Sequence, residues 1–80
     1  MGNLHQAYEE VAQFIAALDP QKLLELKPSK AILLRVEELI SKKKETQLSF
    51  EEQYELDRYL ALEHLISLAK AKARIQLQAA

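Results

Sequence analysis

An 80-residue chain with a formal net charge of −1 has room for one domain and carries no global positive field that would draw it onto nucleic acid. Its composition, 49% hydrophobic and 29% charged residues, excludes both an intrinsically disordered chain and a membrane-spanning one. The absence of Cys excludes disulfide staples, thiolate metal sites and cysteine catalysis.

The N-terminus lacks a basic segment followed by an apolar core. No run approaches the ~18 apolar residues a membrane span needs, so a cytoplasmic protein without a membrane segment is expected. From Leu4 onward, Ala7, Tyr8, Val11, Phe14, Ile15 and Leu18 fall at three- and four-residue steps, with Glu9, Glu10 and Gln13 between them. That spacing predicts an amphipathic helix over 3–18. Asp19 followed by Pro20 is a start signal: the Asp oxygen accepts orphan amides, and Pro at the first helical position forfeits no bond. A short helix over 20–27, carrying Leu23, Leu24 and Leu26, ends before Pro28, which disfavours a helical Lys27.

A third helix is expected over 29–45, with Ile32, Leu33, Val36, Leu39 and Ile40 as its stripe. Lys42, Lys43 and Lys44 sit at its C-terminus, where positive charge complements the helix dipole. Ser49 and Glu52 then have the spacing of a capping box. The Ser hydroxyl accepts the Glu52 amide, and the carboxylate reaches back to the Ser49 amide. Nothing from Phe50 to Gln78 stops the helix that follows, so a helix over 50–78 is expected. At ~1.5 Å per residue it would be about 43 Å long, more than an 80-residue domain is wide.

Projected at 100° per residue, this long helix carries two apolar seams. Tyr59, Leu62, Ile66, Ala69 and Ala73 form a heptad-like one; Ala61, Leu65, Leu68 and Ile75 form a second, interrupted by Lys72. One seam can pack on the preceding helices and leaves the other to a partner. The expectation is therefore an all-α single domain over 1–80: a small helical bundle of three main helices and one short one, packed as a homodimer through its C-terminal helix. The interface would comprise Leu62, Leu65, Ile66, Leu68, Ala69 and Ile75, with Tyr59 shared between core and contact.

Chemistry has little to work with. His64 has Leu60, Ala61, Ser67 and Leu68 at its helical neighbour positions, none of them a metal ligand, and His5 lies near a terminus. Glu51, Glu52, Glu55 and Asp57 occupy first turns where carboxylates serve caps and the dipole. Phosphate-binding and nucleophile-elbow motifs need glycines, and the one Gly is at position 2. No catalytic residue, metal site or cofactor is expected, and the chain reads as a non-enzyme. The second reading is a nucleic-acid contact through Lys42, Lys43, Lys44, Lys70, Lys72 and Arg74. Lys72 projects about 160° from both Lys70 and Arg74, so no single basic stripe results.

The block from Leu48 to Ala73, LSFEEQYELDRYLALEHLISLAKAKA, resembles small uncharacterised helical proteins of photosynthetic bacteria. Upstream, Arg35-Val36-Glu37-Glu38-Leu39-Ile40 and the Lys-rich end after it resemble the helix that precedes that block in those proteins. The resemblance covers residues 28 to 77 and leaves the first helix outside it. Similar short proteins can sit beside toxin-like or nuclease-like genes. The resemblance thus permits an antitoxin-like or partner-protein role and supplies no site residues.

Overall fold

The computed structural model describes residues 3–79, and these are all-α, with no strand among them. Four helices follow in order: α1 (Asn3–Leu18), α2 (Pro20–Glu25), α3 (Lys30–Glu45) and α4 (Phe50–Ala79). Each boundary has a local cause. Asp19 is extended and its Oδ1 accepts the Lys22 amide at 3.0 Å, with Pro20 at the first helical position. The helix it starts is two residues shorter than the 20–27 expected. Leu26 turns extended and its amide takes the Leu23 carbonyl at 3.1 Å, so the ladder closes before Pro28 is reached.

Ser29 caps α3 by accepting the Ile32 amide at 3.3 Å, and at the other end the Thr46 amide closes onto Lys42 O at 2.8 Å. The α4 capping box forms in both directions: Glu52 N donates to Ser49 Oγ at 3.1 Å, and Ser49 N donates to Glu52 Oε1 at 2.9 Å. Two orphan amides are satisfied by one pair of side chains. With 30 residues, α4 is about 45 Å long.

The described residues group into two compact units, one holding 3–26 with 63–79, the other Lys27–Leu62. In the first, Ala12 and Ala16 of α1, Leu23 of α2, and Ala69 and Ala73 of α4 form the buried cluster, with Ile15, Leu24, Leu65 and Leu68 packed against it. Four of these five buried residues are alanines. Each pair is spaced i, i+4, so the two helices meet along methyl groups, and short side chains let their axes approach closely. Polar contacts flank the cluster: Lys72 Nζ lies 2.7 Å from Glu9 Oε1, and Lys70 Nζ donates to the Leu26 carbonyl.

The second unit is a helical hairpin of α3 and the first segment of α4. Arg35 binds both Glu55 oxygens at 2.9 Å and Glu38 at 2.6 Å, while Lys42 binds Glu52 at 2.8 Å. The acidic partners descend from 55 to 52 as the basic ones ascend from 35 to 42, which is antiparallel pairing. Leu39 and Leu56 are the buried side chains of this unit, at 1% and 2% exposure.

Since so few large side chains are buried, single core changes weigh heavily. Leu39→Ala is expected to destabilise by about 2–5 kcal/mol, and Ala69→Leu, which wedges α1 from α4, by about 1–3 kcal/mol. Denaturant unfolding followed by circular dichroism measures both; an Ala69→Leu protein as stable as wild type would contradict the close helix contact.

Candidate interaction surface

A helix with one apolar stripe normally turns that stripe inward, and α1 does not. Ala12 and Ala16, on the flank of the stripe, are fully buried. The stripe itself stays outside: Leu4, Phe14 and Leu18 are 71%, 66% and 69% exposed, and Ala7 and Val11 are exposed too. Positions 4, 7, 11, 14 and 18 step by three and four, the a/d spacing of a coiled-coil seam. Tyr8 and Ile15 lie between the two faces and are half-buried.

Along this seam lies an open apolar groove of about 160 Å³, lined by Leu4, Ala7, Tyr8, Val11 and Leu65. Ala7 is the smallest of these lining residues. Beside it the Tyr8 ring meets His64 edge to face, with centroids 5.2 Å apart and planes at 88°. His64 thus takes part in packing. No group of three or more His, Asp or Glu placed to hold a metal occurs among the described residues.

The residues expected to form the α4 interface have different places. Ala69 is wholly buried in the first unit's core, and Leu65 and Leu68 pack against that core. Tyr59 and Ile66 are half-buried, and only Leu62 and Ile75 are exposed.

The bases are partly engaged. Lys42 is held by Glu52, Lys72 by Glu9, and Lys70 by the Leu26 carbonyl; Lys43, Lys44 and Arg74 have no ion-pair partner among the described residues. No protein-family model, curated protein or solved structure matches the chain. Among the described residues no helix is long and apolar enough to cross a membrane.

The seam on α1 was visible as a stripe, but its steps were the same as those of a helix packed inward. The overlooked signal lay beside it: Ala12 and Ala16 form a second, small-residue face to match Ala69 and Ala73. Small side chains score weakly as hydrophobes and strongly as close contacts.

Electrostatics organises the hairpin. Lys42, with the Ser49 amide behind it, holds the Glu52 carboxyl down at about 2, and Arg35 lowers that of Glu55. Glu55 and then Glu38 raise the Arg35 guanidinium in turn, and Lys72 lowers Glu9. A carboxyl lowered on folding stabilises above its unfolded value, near 4.5, and that stabilisation is lost as pH falls towards the folded value. Melting temperature should accordingly hold from pH 7 to about 5 and fall between 4.5 and 2. Glu52→Gln should melt below wild type at pH 7 and converge with it near pH 2; a gap of unchanged size at pH 2 would contradict the ionic cap.

Proposed function

We propose that the protein is a non-enzymatic helical interaction module that works by self-association. One observation carries the reading: Leu4, Val11, Phe14 and Leu18 of α1 lie outside while the buried cluster beside them is built largely from alanine. Scattered surface leucines need no explanation, but a continuous apolar seam over about 20 Å of helix does. Ile75, in the same unit as α1, is a further exposed apolar side chain. Among the described residues the groove walls are hydrocarbon and the Tyr8 ring, which supports binding over catalysis.

An antitoxin-like or nucleic-acid-associated role draws on the six bases, and it has less support because three of them already have intramolecular partners. Self-association has a direct consequence. Anything that binds the folded state raises apparent stability by mass action, so the melting temperature should climb by several degrees over a hundredfold rise in concentration. Light scattering over the same range should report more than one chain mass. A monomer throughout, with a constant melting temperature, would contradict the reading.

A further inference from the structure

The geometry points to a second copy of this chain as the occupant of the α1 groove, paired antiparallel about Val11, with Phe14 of each copy filling the groove of the other. The inference rests on the self-association proposed above and assigns its site.

The groove's α1 residues are Leu4, Ala7, Tyr8 and Val11, at i, i+3, i+4 and i+7. Those four positions outline the hole into which a facing helix inserts a side chain in knobs-into-holes packing. Here the hole is already open. With Leu65 of α4 as a further wall, the open groove has a volume of about 160 Å³, close to the ~150 Å³ of an apolar cavity that accepts benzene, so a phenyl ring is a fitting occupant. The same seam presents such a ring, unpartnered, at Phe14.

Spacing decides the orientation. At ~1.5 Å per residue, Phe14 lies about 4.5 Å beyond Val11, while Tyr8 lies about 4.5 Å and Ala7 about 6 Å before it. A two-fold axis through Val11 therefore brings the partner's Phe14 level with Tyr8, over the gap that Ala7 leaves. It also brings the partner's Leu18 level with Leu4. Parallel pairing would instead set Phe14 against Phe14 and Ala7 against Ala7, crowding one layer and emptying another. The antiparallel contact is isologous: every hole is matched by a knob supplied from the same stretch of sequence. No foreign helix is required to complete it.

Sedimentation equilibrium of the full chain, wild type against Phe14→Ala, tests the contact. Phe14 is exposed in the protomer, so the variant should keep its helical circular dichroism while dimerisation weakens by roughly a hundredfold or more, one ring being lost from each of two holes. Because the chain has no native cysteine, Leu4→Cys and Leu18→Cys, mixed and mildly oxidised, report orientation. The mixed 4-to-18 disulfide should dominate. A wild type that is monomeric at every concentration overturns self-association itself and leaves the seam to a foreign helix. A dimer unaffected by Phe14→Ala, or one that forms 4-to-4 disulfides instead, overturns this pairing while self-association stands.

Discussion

The contact of alanine on alanine between α1 and α4 governs the rest of this molecule. Ala12 and Ala16 meet Ala69 and Ala73 in a cluster with no exposed surface, and that choice fixes how α1 is rotated about its axis. Had α1 turned its large stripe inward, Leu4, Val11, Phe14 and Leu18 would have filled a conventional core. Methyl groups bury little area each, about 0.8 kcal/mol per carbon, so what they contribute is proximity rather than bulk. The consequence is a thin core with a full apolar seam outside it. An 80-residue chain is in any case short of buried surface, and association is one route by which small domains make up the shortfall.

The Lys27–Leu62 hairpin is held by different means. Its two buried leucines are accompanied by Arg35 on Glu55 and Lys42 on Glu52, and the second bridge shares its carboxylate with the α4 capping box. Glu52 thereby couples the start of α4 to the end of α3. Ion pairs on a surface add little stability individually, but a branched set with fixed partners selects one register among several that two leucines would accept.

The helices and their ends were legible in the sequence because their signals are local. Asp19-Pro20, Ser29 and the Ser49–Glu52 pair each act within four residues, and all three caps form as their chemistry predicts. The early stop of α2 at Glu25 was not legible, since it depends on which amide captures the Leu23 carbonyl first. The inward face of a helix is a non-local property. Periodicity identified the stripe of α1 without saying what it meets, and on α4 it counted Ala69 as an interface residue although the chain buries it in its own core, with Leu65 and Leu68 packed against that core and half-buried. Ranking faces by hydrophobic mass favours the larger side chains, whereas two helices in contact can favour the smaller ones.

The most direct test asks which face of α1 is turned inward, and a chain without cysteine lends itself to it. Thiol-labelling rates of single-cysteine variants Val11→Cys and Ala16→Cys, measured under reducing conditions over a range of concentrations, separate the two faces. The account predicts that Cys at 11 reacts almost as a free thiol in dilute protein and slows as concentration rises, while Cys at 16 is protected throughout. A protected position 11 in dilute protein, or a reactive position 16, would contradict it.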